Sequence, residues 1–91
     1  MNPLKSDTVP SMKPGYRLQW EPKLELHVVL FPEGMIKLNQ TAYEILNSCD
    51  GATTLDTIVA SLQQKFNLAN LEPSVREFLE VAYARGWVEF K

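Results

Sequence analysis

Residues 24–39 read LELHVVLFPEGMIKLN, and this pattern predicts a β-hairpin. Apolar and polar positions alternate over residues 24–31, as expected for a strand with one buried face. Pro32, Glu33 and Gly34 predict a turn, because proline and glycine supply the backbone angles that turns need. The chain then returns over residues 35–38, where Ile36 and Leu38 share one face and Met35 and Lys37 the other.

A further strand is predicted before the hairpin, from Tyr16 to Trp20, and Glu21-Pro22 closes it. Together the three strands form an antiparallel meander whose two outer strands are edges. The first 14 residues contain Pro3, Pro10 and Pro14 among polar side chains, so we expect a flexible N-terminal tail over residues 1–14. The domain is expected to span residues 15–91.

Helical spacing replaces the strand pattern after Asn39, which suits the N-cap of a first helix. This helix is expected to end at Asp50-Gly51, with Gly51 just beyond the C-cap. Thr54 is expected to cap a second helix that runs to Phe66. A third helix is predicted with Pro73 in its first turn, ending near Arg85 before Gly86. The predicted fold is therefore α+β: a three-stranded antiparallel sheet followed by a three-helix bundle, with residues 87–90 packed on the core as a short extension.

Composition narrows the function classes. The chain has 91 residues, enough for one domain, and 9 basic residues against 11 acidic ones give a formal net charge of −2. Nucleic-acid binding normally needs a basic surface, so this balance argues against it. No apolar run approaches the roughly 20 residues of a membrane span, and the first residues lack the apolar core that a signal peptide has. We therefore expect no membrane contact and a cytoplasmic location.

The sequence contains no recognisable catalytic or metal-binding pattern. It has one cysteine, Cys49, on the apolar side of the first helix, and one histidine, His27, on a strand. Both are expected to be structural, Cys49 as a small core residue and His27 as a half-buried one. No Ser-His-Asp or Cys-His set, glycine-rich phosphate loop or metal box is present. We expect a protein that is not an enzyme and that holds no cofactor.

The third helix has an unusually wide apolar arc. At 100° per residue, its apolar side chains cover about 200°, against about 100° for a helix with a single buried stripe. One interpretation is deeper burial against the sheet or the Trp87 segment. The other is a groove wall with Phe78, Val81 and Arg85 on its flank. The third strand is the candidate for the facing wall, because an edge strand offers unpaired backbone groups to another strand.

The sequence resembles the PqqD family of peptide chaperones. The resemblance rests on residues 15–21, on the hairpin of residues 27–39, on the Asp50-Gly51 helix end and on residues 75–82 and 85–87. It implies a winged-helix-like fold, the recognition element of enzymes that modify ribosomally made peptides. It also implies two partners: the precursor peptide PqqA, and PqqE, a radical S-adenosylmethionine enzyme that cross-links a glutamate to a tyrosine of PqqA.

The resemblance further implies where the peptide lies: as an added strand beside the third strand, in a cleft bounded by the third helix. The corresponding peptide-binding residues in this sequence are Met35, Ile36, Lys37, Leu38, Val75, Phe78, Leu79, Val81, Ala82 and Arg85. The segment Ala52-Thr53-Thr54 departs from the family pattern, in which a basic residue is frequent, so no contact is carried over to it.

Two other interpretations compete with a peptide-binding adaptor. A winged-helix DNA-binding or regulatory domain shares the architecture, but Glu77 and Glu80 offset Arg76 and Arg85 on the third helix. The second competing interpretation is an enzyme subunit that has no binding role of its own. Self-association into a homodimer through the exposed edge and the apolar groove is also compatible with the sequence.

Overall fold

The computed structural model describes residues 4–91 and has two small sheets and three helices. Strands β2, β3 and β4 form a three-stranded antiparallel sheet in that order, and β1 pairs with β5. In chain order the elements are β1 Pro10–Met12, β2 Arg17–Glu21, β3 Leu26–Phe31, β4 Gly34–Lys37, α1 Gln40–Asn47, α2 Leu55–Phe66, α3 Glu72–Ala84 and β5 Val88–Phe90. The predicted α+β class, with a three-stranded sheet followed by three helices, is confirmed.

The alternation predicts Leu26 and Leu30 on the buried face of β3, and this is wrong: both are half-buried, and Val29, on the opposite face, packs toward the helices. The register places Leu18, Val29 and Ile36 side by side, and all three belong to the core on the helix side of the sheet. The strand begins later than expected, because Glu25 takes a left-handed φ of 55° and its N–H donates to Glu21 O at 2.8 Å. Residue 24 therefore lies in the turn between β2 and β3 and not in the strand.

The helix starts follow the predicted caps. The side chain of Asn39 accepts a hydrogen bond from Ala42 N at 2.7 Å, that of Thr54 accepts from Thr57 N, and Pro73 lies in the first turn of α3. The predicted end of the first helix is wrong. α1 stops at Asn47, and Gly51, at φ +77°, donates its N–H to Pro10 O instead of serving as the C-cap glycine.

The described part of the predicted tail is ordered, which corrects the expectation for residues 4–14. β1 pairs with β5 in antiparallel register from Pro10↔Phe90 to Met12↔Val88. Leu4 is 4% exposed and lies in the core. The prolines allow this because the strand is short and contains proline only at its first residue. Residues 1–3 of the predicted tail lie outside the described residues.

Two core clusters lie under the sheet and between the helices. The first joins the N-terminal segment to the three helices, and the second joins α1 and α3 to the sheet and β5. The first cluster consists of Leu4, Ile45, Cys49, Leu55, Ile58, Val59, Leu62, Val75 and Leu79, and the second of Val29, Leu38, Ala42, Leu46, Ala82 and Val88. Phe78 of α3 packs against both clusters, so α3 connects the helical core to the sheet.

Candidate functional site

Strand β4 forms one edge of the three-stranded sheet. Leu38 N donates to His27 O at 3.0 Å, which makes residues 38 and 27 a hydrogen-bonded pair. Because such pairs alternate along an antiparallel ladder, the N–H and C=O groups of Met35 and Lys37 point away from β3. No other strand within residues 4–91 pairs with this side of β4. The expected backbone edge is therefore open.

The side chains of β4 divide between the two faces of the sheet. Met35 is 44% exposed, and it lies on the face away from the helices together with Lys37, since their partners are Leu30 and Val28. Ile36 is half-buried and packs against the second core cluster, and Leu38, which follows the strand, is buried within that cluster. Leu38 thus anchors the end of β4 to the second core cluster on the helix side of the sheet.

The predicted wall on α3 is only partly at the surface. Val81 is 43% exposed, Arg85 is exposed and Phe78 is half-buried. Val75, Leu79 and Ala82 are at most 2% exposed, so the prediction that they contact a peptide directly is corrected: they are core residues. The wide apolar arc therefore reflects deep burial for most of the helix and real exposure at Val81.

A pocket of about 320 Å³ opens on α3, lined by Ser74, Glu77, Phe78 and Val81. Phe78 and Val81 were predicted as site residues, and Ser74 and Glu77 were not. The signal was available, because Ser74 and Glu77 precede them by four positions and therefore lie on the same face of the helix. The pocket lining combines one aromatic, one aliphatic, one acidic and one hydroxyl side chain. None of its lining residues belongs to β4.

Charged side chains on the helices are largely engaged within the fold. Arg76 pairs with Glu72 at 2.9 Å and also donates to Leu4 O, and Lys65 pairs with Glu44 at 2.8 Å. Arg85 lies over the ring of Trp87, 5.6 Å from its centroid. A DNA-binding helix needs cations that are free to contact phosphates, and this arrangement does not favour that function.

The hydrogen bond from Lys65 lowers the pKa of Glu44. Gln40 donates a further hydrogen bond of 2.9 Å to the Glu44 carboxylate, which acts in the same direction. Burial opposes this effect, but the two donors outweigh it. Asp50 accepts from the N–H groups of Ala52 and Thr53, and these bonds hold its pKa below the ordinary value. Residues 52–54, the segment that departs from the family pattern, thus follow Asp50 in a turn that its carboxylate stabilises by hydrogen bonds.

His27 lies in an aromatic group with Trp20 and Tyr43. Its ring stacks on Tyr43 at 3.6 Å and meets Trp20 edge-on at 5.0 Å. It is half-buried, as predicted, and Cys49 is buried in the first core cluster, as predicted. Among residues 4–91, no three His, Cys, Asp or Glu side chains converge as a metal site. The described helices include none that could cross a bilayer.

The sequence matches a known family over most of its length. The model of the family described as coenzyme PQQ synthesis protein D (PqqD) matches residues 27–88. A protein of Methylococcus capsulatus named PqqA binding protein is 46% identical over 85 residues, which are 93% of this chain and 91% of that protein. Such identity over nearly the whole length of both chains indicates common descent.

Two solved structures share the fold. The PqqD portion of Methylobacterium extorquens PqqCD, described as a functional, stand-alone recognition element for ribosomally synthesised and post-translationally modified peptides, superposes with a TM-score of 0.81 at 26% identity. The alignment covers 97% of this chain and 96% of that one. The heterocyclase TruD contains a similar fold, with a TM-score of 0.69 at 22% identity over 92% of this chain and 12% of its own. On these grounds, the chain belongs to the PqqD family.

Proposed function

We propose that this chain binds the precursor peptide PqqA and presents it to the radical enzyme PqqE in pyrroloquinoline quinone biosynthesis. The observation that carries the proposal is the open backbone edge at Met35 and Lys37. Between these two residues, Ile36 packs against the core cluster that contains Ala82 of α3, the helix on which Val81 is exposed. The name of the Methylococcus relative, PqqA binding protein, supports the choice of ligand.

The proposed binding mode is strand addition. Met35 and Lys37 each offer one donor and one acceptor, so a bound strand would gain four backbone hydrogen bonds, each contributing about 1 kcal/mol. Alternate side chains of the peptide would then point to the helix side of the sheet, and the proposal is that they reach the pocket that Phe78 and Val81 line on α3. Ordering the peptide offsets much of this gain, which favours reversible binding.

The proposed contact residues are the predicted residues that have an accessible backbone edge or an accessible side chain. Met35 and Lys37 supply the backbone, Phe78 and Val81 supply apolar side chains, and Arg85 supplies a cation at the end of α3. Of the other predicted residues, Ile36 is half-buried, and Leu38, Val75, Leu79 and Ala82 are buried, so these five hold the two walls in place.

Calorimetric titration with a synthetic PqqA peptide tests binding, and the amide spectrum locates it. We expect heat release and shifts of the amide signals of residues 35–37 and 78–85. Absence of heat at high-micromolar concentrations would defeat the proposal. Shifts confined to α2 would show that a peptide binds elsewhere.

Presentation to PqqE needs a separate test. We expect PqqE to form the glutamate–tyrosine cross-link in PqqA faster when this chain is present. If the chain binds PqqA but leaves the rate of cross-linking unchanged, binding stands and presentation does not.

A further inference from the structure

The three-stranded sheet carries an apolar row on the face that points away from the helices. Leu26, Val28 and Leu30 alternate along β3 and share this face, which we call the outer face. Leu26 and Leu30 are half-buried and Val28 is buried, but none of the three belongs to either core cluster. Met35 of β4, opposite Leu30, adds a side chain that is 44% exposed. The outer face is therefore an apolar surface outside the core of residues 4–91.

Strand β3 is apolar on both of its faces. Val29 packs in the second core cluster, and Phe31 on the same face stacks on Tyr16, which packs against that cluster. A strand with one solvated face normally alternates apolar and polar residues, whereas a nearly continuous apolar run is typical of a strand that is covered on both faces. Of the six residues of β3, only His27 is polar. This composition indicates a covering layer on the outer face that residues 4–91 do not supply.

Two exposed cations border the apolar row. Arg17 of β2 lies opposite Leu30, and Lys37 of β4 lies opposite Val28, so the cations stand on opposite sides of β3. Neither makes an ion pair with any residue in the described range 4–91. Glu21 lies farther along the same face, at the end of β2. The row thus has basic flanks in a chain of net charge −2, and a partner surface that carries carboxylates would complement them.

The outer face is continuous with the peptide edge proposed above. Met35 and Lys37 have their side chains on the outer face and direct their backbone groups toward the added strand. Successive side chains of that strand point to opposite faces, so every second side chain of bound PqqA would extend the outer face. A protein seated there would contact this chain and the peptide together.

We propose that the outer face docks the modifying enzyme while PqqA occupies the β4 edge. The enzyme meets it with an apolar surface bordered by carboxylates, which fits the row of Leu26, Val28 and Leu30 and its flanks Arg17 and Lys37. This inference rests on the proposed function and names the surface through which PqqA is presented to PqqE.

The size of the outer face sets the strength of the contact. Three strands about 4.8 Å apart and a strand length of about 20 Å give roughly 300 Å², well below the about 800 Å² per partner of a standard interface. We therefore expect a transient contact. The bound peptide strand enlarges the face by about a third, so the enzyme is expected to bind the peptide-loaded chain more tightly than the free chain.

Two substitutions on the outer face, both outside the peptide edge, test the docking. Arg17→Glu reverses an exposed charge, and Leu30→Thr removes apolar surface while keeping a residue that suits a strand. We expect both variants to bind PqqA as the wild type does, and to bind PqqE in the presence of PqqA at least about tenfold more weakly. Calorimetry measures the first affinity, and binding of PqqE to the immobilised, peptide-loaded chain measures the second.

Lys5→Glu and Leu68→Thr are the matched controls. Lys5 is exposed in the N-terminal segment, where Ser6 O accepts a hydrogen bond from Asp56 N of α2, and Leu68 is 55% exposed between α2 and α3. Both make the same kind of change beside the helices instead of on the sheet, and both are expected to bind PqqA and PqqE normally. Circular dichroism checks that each variant is folded.

The outcomes separate docking at the outer face from the proposed function. If the peptide-loaded wild type does not bind PqqE at high-micromolar concentrations, presentation and docking both fail. If it binds PqqE and both outer-face variants bind equally well, presentation stands and docking at the outer face is wrong. A loss of affinity in Leu68→Thr but not in Leu30→Thr would place the enzyme on the helices instead. Weaker PqqA binding by Arg17→Glu would show that the outer face acts on the peptide edge, which also overturns the inference.

Discussion

Arg76 of α3 donates a hydrogen bond of 2.9 Å from Nη1 to the carbonyl oxygen of Leu4. Its Nε binds Glu72 Oε2, also at 2.9 Å, so the guanidinium group is fixed on both sides. The side chain of Leu4 is thereby held in the first core cluster, against residues from all three helices. The N-terminal segment is an integral part of the core.

We expect Leu4→Ala to lower the free energy of unfolding by about 2–4 kcal/mol, because it removes a buried side chain and leaves a cavity. Urea denaturation measures the change. Lys5→Ala is the control, since the neighbouring lysine side chain is exposed. Equal stability of the two variants would contradict a structural role for the N-terminal segment.

Val81→Asp is expected to reduce PqqA affinity at least tenfold while the fold is retained, because Val81 is 43% exposed at the pocket on α3. Leu24→Asp introduces the same charge at a residue that is 39% exposed, in the turn between β2 and β3, and should bind normally. Calorimetry compares the two variants. Phe78→Asp is less informative, because Phe78 packs against both core clusters and its loss would also destabilise the fold.

The Glu44–Lys65 ion pair predicts a pH-dependent stability. Hydrogen bonding by Lys65 lowers the pKa of Glu44 below its ordinary value of 4.5, so the stabilisation is complete above that pH and is lost as the pH falls through the folded-state pKa. We expect Lys65→Met to cost about 1 kcal/mol at pH 7, a figure limited by the 57% exposure of the lysine.

The cost of Lys65→Met should shrink toward zero once Glu44 is protonated, and denaturation at a series of pH values from 7 downward measures this. Lys23→Met is the control, because Lys23 makes no ion pair among residues 4–91. A cost that does not change with pH would indicate that the lysine acts through packing alone.

Cys49 is expected to resist thiol reagents in the native state. Burial raises the pKa of its thiol to about 12, and Sγ donates to Ile45 O at 3.3 Å. Labelling at pH 8 should therefore follow the rate of unfolding and become rapid in denaturant. Because the pKa is higher in the folded state than in the unfolded state, this group also lowers stability as the pH rises above about 9. Rapid labelling of the native protein would contradict the burial.

Local chemistry explains what could be predicted from the sequence. The turn at residues 32–34, the caps at Asn39 and Thr54 and the glycine at residue 86 each act within a few residues, so the hairpin and the helix starts were predicted correctly. β1 was missed because its partner is β5, at the other end of the chain, and a three-residue strand carries no pattern of its own.

Local sequence patterns likewise predicted only part of the candidate site. The edge position of β4 follows from the order of the predicted strands, and the exposure of Val81 follows from the wide apolar arc. Whether Val75, Leu79 and Ala82 face solvent depends on how α3 packs against the N-terminal segment and β5, and these long-range contacts leave no local mark in the sequence.

The β1–β5 ladder affects how the chain folds during synthesis. Val9 and Lys91 exchange backbone hydrogen bonds of 2.9 and 3.0 Å, so β1 acquires its partner strand only after residues 88–91 have been synthesised. The β2–β3–β4 hairpins can form earlier, because their strands are neighbours in the chain. The two sheets of this domain therefore form at different stages of synthesis, and the sheet that joins distant segments forms last.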